Sequence, residues 1–177
     1  MIRISLSLLL SLFLSYTFGQ NCSNNNSKTL IFIQSDTEVL KGKNDSTYVE
    51  IDFDSLSINS LLSLKDFEFL EIVDKKKSLE SEIEIENHPE VTLTGKLTPK
   101  ENNTYYVQGE ITLLGVKTAV NFPAEIKKTP TCYKFKATFT LMYSDFEFTP
   151  HKKDLKKLKK EVIISLKSEL PLSDTTN

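Results

Sequence analysis

The chain has 177 residues with 22 basic and 24 acidic side chains, a net charge of −2, which fits one domain plus short extras. That near-neutral balance gives no global reason to expect nucleic acid or an acidic partner. Hydrophobic residues make up 39% and charged residues 26%, an ordinary globular composition, and 11 Phe with no Trp supply apolar area without a polar handle.

The N-terminus comes first. Met1-Ile2-Arg3 carries one positive charge, and Ile4 to Phe18 is almost entirely Leu, Ser, Phe and Ile. Thr17-Phe18-Gly19 places small residues at the −3 and −1 positions of a cut before Gln20. This is the pattern of a secretory signal peptide over residues 1–19, and it predicts an exported protein, periplasmic or secreted. An uncleaved anchor is the alternative, although the apolar run is shorter than the roughly 20 residues an ordinary transmembrane helix needs.

Residues 20–28, with Asn21 to Lys28 reading N-C-S-N-N-N-S-K, predict a disordered polar tail. An exported context permits a disulfide between Cys22 and Cys132, with free thiols as the alternative. Lipid modification at Cys22 fits less well, because Asn21 is not the small residue such processing prefers.

The folded part is expected over residues 29–170, with 171–177 as a second tail. Leu30 to Ile33, Tyr48 to Phe53 and Leu61 to Phe67 read as strands. Between Phe69 and Ser81 alternation gives way to helical spacing at Leu70, Val73 and Lys77, which predicts a short helix. A strand around Val91 to Leu97 follows, then a turn at Glu101-Asn102-Asn103. From Tyr105 onward the period-2 pattern is clean. Tyr105, Val107, Gly109, Ile111 and Leu113 share one face. So do Val116, Val120, Phe122, Ala124 and Ile126 after a tight connection at Gly115. Past Thr129-Pro130-Thr131, the residues Tyr133, Phe135, Ala137, Phe139, Leu141 and Tyr143 form the next inward face. Asp154 to Lys160 predicts a second short helix, and Val162, Ile164, Leu166 and Leu170 the last inward face. Strands joined in sequence by short turns argue for an antiparallel meander. About eight strands, each with one apolar face, predict an all-β, closed antiparallel barrel with one or two short helices.

Sites of chemistry are sparse, and the chain is read as a non-enzyme with no catalytic residue, metal or cofactor. His88 and His151 lack a companion at metal-ligand spacing, and His88 before Pro89 reads as the start of a strand. Glu80, Glu82, Glu84 and Glu86 recur every second residue, as on a solvated strand face. Asp145 reads as a structural hydrogen-bonding residue. The basic run Lys152, Lys153, Lys156, Lys157, Lys159 and Lys160, with Leu155 and Leu158 inward, describes an amphipathic helix. It would either touch an anionic membrane surface transiently or serve as a solvated connector.

The stretch Val107 to Phe122, V-Q-G-E-I-T-L-L-G-V-K-T-A-V-N-F, resembles the most recognisable segment of the YceI-like family. Glu86 to Gly95, Phe139 to Phe146, Ile31 to Asp36 and Tyr48 to Asp52 resemble other strands of that family in the right order. The N-terminal His-Ser strand motif of the family's larger members is missing, and Tyr143 stands where many members carry Arg. The resemblance implies a lipocalin-like barrel whose tunnel holds a polyisoprenoid, an isoprenoid quinone or a fatty chain. An eight-stranded barrel is near the size that either fills with side chains or encloses one ligand. The expected interior site comprises Phe32, Phe67, Tyr105, Val107, Ile111, Leu113, Val120, Phe122, Tyr133, Phe135, Phe139, Leu141 and Tyr143. A filled, ligand-free barrel acting through its surface as a structural or interaction module is the alternative.

Overall fold

The computed structural model describes residues 21–35, 39–69, 85–147 and 158–172. Nine strands follow in chain order: β1 (Asn21–Ser35), β2 (Val39–Asp52), β3 (Ser57–Ser63), β4 (Glu68–Phe69), β5 (Glu90–Pro99), β6 (Thr104–Leu113), β7 (Val116–Lys128), β8 (Cys132–Met142) and β9 (Leu158–Pro171). All pairs are antiparallel. The order β1-β9-β8-β7-β6-β5-β3-β2 closes through β1–β2, so eight strands form the barrel and the two-residue β4 extends β2. Closure pairs every barrel strand with a neighbour on both sides over at least part of its length, which limits free sheet edge.

Strand positions in the second half follow the alternation. Leu114 and Gly115, at φ 54° and 78°, form the two-residue turn between β6 and β7; positive φ at both positions matches the right-handed twist of the flanking strands. Asn102 and Asn103, at φ 57° and 59°, serve the β5–β6 turn, where Asn tolerates the left-handed region better than other side chains.

Three expectations need correction. Residues Asn21 to Lys28 are no tail; they form the first half of β1, paired with β2 from Asn21↔Asp52 onward. The inward side chains here are small and polar, and they bond inside the barrel. Ser27 Oγ donates to Ser168 Oγ at 2.7 Å, and Thr29 and Thr47 hydroxyls meet at 2.7 Å. A polar inner face gives no hydrophobic period. The expected helix over Asp154 to Lys160 is not one at its end, because Leu158 to Lys160 open β9; 154–157 lie outside the described residues. The expected strand Leu61 to Phe67 stops at Ser63, where a 3-10 turn spans Leu64–Asp66. A second 3-10 turn, Tyr143–Phe146, follows β8. The helix expected from Phe69 falls on 70–81, outside the described residues, and Phe69 itself closes β4.

The interior has two unlike halves. Toward the end bearing the β2–β3, β5–β6 and β7–β8 turns, here the lower end, packing is tight. Val49, Ile51, Ile58, Val107 and Leu170 are fully buried and Phe135 is 1% exposed. Each such side chain contributes about 1.5–3 kcal/mol by leaving water. Phe53 stacks on Tyr133 at 4.1 Å and shuts this end. Toward the upper end, Leu40, Phe67 and Phe146 are buried as well, but inward Val91, Leu113, Val120, Phe139 and Leu141 are only partly buried.

Candidate ligand-binding site

The upper half holds a half-open cavity of about 60 Å³. Its apolar wall includes Leu93, Ile111, Phe139, Leu141 and Ile164, brought from β5, β6, β8 and β9 by the inward parity of each strand. The opposite wall carries the Thr29, Thr47 and Ser60 hydroxyls. These are satisfied among themselves and their neighbours. Thr47 Oγ1 donates to Asn44 Oδ1 at 3.1 Å, and Ser60 Oγ donates to the Tyr48 carbonyl at 2.8 Å. A buried polar group without such partners would cost about 1–3 kcal/mol.

One seam of the barrel parts beside this cavity. β7 and β8 pair only from Ala124↔Ala137 to Lys128↔Tyr133. Above that, Thr118 to Pro123 and Thr138 to Met142 line a slit of about 340 Å³. The cause lies in the sequence. Ile126 N–H donates to the Asn103 carbonyl on the β6 side. Backbone donors alternate sides along an antiparallel strand, so the donors of residues 123, 125 and 127 aim at β8. Pro123 has no N–H, and the ladder ends where its donor is due. At the upper end, Thr118 Oγ1 donates to the Asp145 carbonyl at 2.9 Å and ties the 3-10 turn across the gap. Inside the slit, Phe122 and Phe139 stack with centroids 4.0 Å apart and planes 10° apart. Phe139 and Leu141 border both slit and cavity, so side chains rather than paired backbone stand between the two spaces.

The structure distributes the thirteen expected interior residues unevenly. Ile111, Phe139 and Leu141 line the cavity; Val120 and Phe122 line the slit. Tyr105 and Leu113 are partly buried against the core. Val107, Tyr133 and Phe135 belong to the packed lower half. Phe67 is buried beside Gly42, whose missing side chain leaves room for Phe67 and Ile31. Phe32 is a correction: it lies opposite Lys41 and Ile163 on the outer face, while Ile31, opposite Gly42 and Ile164, points inward. The run Leu30-Ile31-Phe32-Ile33 is apolar throughout and gives no parity to read. Tyr143 opens the 3-10 turn, and its side chain lies outside the description. Sequence reasoning missed the hydroxyl wall and Pro123. A proline inside an alternating strand was the available signal for the latter.

Other expected sites resolve as follows. Cys22 and Cys132 are buried thiols with no disulfide between them, on strands β1 and β8 that β9 separates, and Cys132 Sγ lies 3.2 Å from the Thr129 hydroxyl. His88 is exposed just before β5, against the Gly115 turn. Glu86 pairs with Lys65 at 3.2 Å on the surface; Glu80, Glu82, Glu84 and His151 lie outside the described residues. Lys159 and Lys160 begin β9, and Lys152, Lys153, Lys156 and Lys157 lie outside the described residues.

Comparison with solved structures places this barrel among known ones. Burkholderia cenocepacia BcnA superposes with a TM-score of 0.70 at 19% identity, over 83% of this chain and 96% of its own. A polyisoprenoid binding domain from Saccharophagus degradans, implicated in plant cell wall breakdown, gives 0.70 at 10% identity, over 87% and 99%. The YCEI protein of Campylobacter jejuni gives 0.63 at 18% identity, over 75% and 85%. No curated protein matches the chain. The family model described as the YceI-like domain matches residues 23–170, and the chain belongs to the YceI-like family.

Proposed function

We propose that this protein is an exported carrier that holds a long apolar molecule, a polyisoprenoid, isoprenoid quinone or fatty chain, in the upper half of its barrel. One observation carries the reading: Val91, Phe139, Leu141 and Ile164 remain partly exposed around a cavity in that half, while the inward apolar side chains Val49, Ile51, Val107 and Phe135 below are close-packed. Unfilled apolar surface inside a barrel is where an apolar chain gains most by leaving water. Family membership and the polyisoprenoid binding domain among the structural neighbours support the ligand class. Export rests on the apolar N-terminal segment of the sequence.

The small cavity favours a second reading, a filled barrel that acts through its surface. At about 60 Å³ it holds only part of a long chain without widening. Native mass spectrometry of protein purified from cells separates the two. The carrier reading predicts an adduct of lipid mass that leaves on organic extraction and a site that an added apolar probe then refills. Ligand-free preparations that also fail to bind a fluorescent fatty acid would sink it.

A further inference from the structure

The geometry points to the slit between β7 and β8 as the door of the site, through which one apolar chain enters sideways and in which its outer part rests. This rests on the carrier reading and adds a path to it. The inner cavity is too small for a long chain, whereas the slit beside it is over five times larger, 340 Å³ against 60 Å³. Both spaces are bordered by Phe139 and Leu141, so a chain passing from one to the other has to displace side chains but no hydrogen-bonded strand. Elsewhere the neighbouring seams hold: β6–β7 pair up to Leu113↔Val116, and β8–β9 up to Met142↔Glu161. The lower end is shut by the Phe53–Tyr133 stack. Pro123 keeps the slit from zipping, and the Thr118–Asp145 bond holds its upper end at a fixed place. Stacked Phe122 and Phe139 are the leaves of the door; they must swing apart to admit a chain.

The test is stopped-flow uptake of cis-parinaric acid, a fluorescent fatty acid, by two altered proteins. In the first, Pro123→Val restores the donor and lets the ladder continue. In the second, Asn121→Cys and Thr140→Cys, which the β7–β8 register would set opposite each other, are bridged by a short bis-maleimide. The door predicts uptake at least about tenfold slower in the bridged protein than in the same protein blocked with a monofunctional maleimide. It predicts slower uptake in Pro123→Val as well. Unchanged rates in both would overturn the door and leave the carrier reading standing. A parent protein that takes up no probe would overturn both together.

A different observation identifies what the door faces. On the outer surface, Lys28, Lys167 and Lys136 stand directly opposite one another across β1, β9 and β8, and Glu125 of β7 ends the row beside Lys136. Like charges so placed repel, and Glu125 is opposite only the last of the three lysines. Lys136 lies two residues from Thr138, the lower lip of the slit. We infer that this row docks on an anionic lipid surface, since the chain the door admits is nearly insoluble and must come from a membrane. Sedimentation with vesicles tests it. Phosphatidylcholine vesicles containing phosphatidylglycerol should bind the protein, and vesicles of phosphatidylcholine alone should not. The triple variant Lys28→Gln, Lys136→Gln, Lys167→Gln should bind about 100-fold more weakly, from roughly fivefold per lost lysine. Equal binding to both vesicles, no binding, or undiminished binding by the triple variant would overturn the inference.

Discussion

Phe135 and Phe139 sit on the same face of β8, four residues apart, and should respond to truncation in opposite ways. Phe135 is 1% exposed within the packed lower half. Phe135→Ala leaves a void that rigid neighbours cannot fill, at a cost of about 3–5 kcal/mol. Phe139 already borders open space on the cavity and slit sides. Phe139→Ala loses the stack on Phe122, about 0.5–1.5 kcal/mol, and about 1 kcal/mol of partial burial, so about 2 kcal/mol in all. Urea unfolding gives both costs, and cis-parinaric acid titration gives affinity for each variant. The expected result is a large stability loss with unchanged affinity at Phe135, and a small loss with weakened affinity at Phe139. Equal costs above about 4 kcal/mol with affinity intact at both would mean a filled barrel throughout.

Further outcomes follow from the sheet and its turns. Lys167→Glu turns two like-charge cross-strand pairs, with Lys28 and Lys136, into opposite-charge pairs; urea unfolding should show a gain of about 1 kcal/mol that shrinks in salt. The Ser55 hydroxyl and the Asp54 and Ser55 backbone N–H groups hold the Asp52 carboxyl below its usual range. A depressed carboxyl stabilises the fold above its unfolded value, near 3.9, and that contribution fades as pH falls through the folded value. Asp52→Ala should therefore be destabilising at neutral pH, with the gap to the parent narrowing below pH of about 4; a gap constant through the acid range would contradict this. A methyl at Gly109 would overlap the Thr94 carbonyl oxygen of β5, whereas one at Gly42 meets side-chain atoms of Ile31 and Phe67, the nearest at 2.8 Å. Thermal melts should show Gly109→Ala unfolded or severely weakened, and Gly42→Ala down by about 1–3 kcal/mol.

The barrel was legible wherever inward residues were apolar and outward ones polar. β6, β7 and β8 carry that contrast along their length, and their inward faces emerge as read, down to the Leu114-Gly115 turn. β1 breaks the rule twice. Its first half points Ser27 and Thr29 inward, so a strand looked like a polar tail, and its second half is apolar on both faces, so Phe32 was assigned to the wrong side. The site was only half legible for a related reason. Alternation says which residues face inward but not whether the space between them is filled. Val107 and Leu141 look alike in sequence, yet one is fully buried in the lower half and the other borders a cavity. The slit depended on one missing hydrogen-bond donor at Pro123, a backbone property that hydrophobic patterning does not register.

Methyl-resolved NMR during titration with an apolar chain tests the central claim most directly. Binding in the upper half predicts that the methyl signals of Ile111, Leu141 and Ile164 shift on saturation, while those of Ile51, Ile58 and Leu170 stay in place. Shifts confined to the lower half or to outward residues such as Leu61, or no shifts at all, would contradict it.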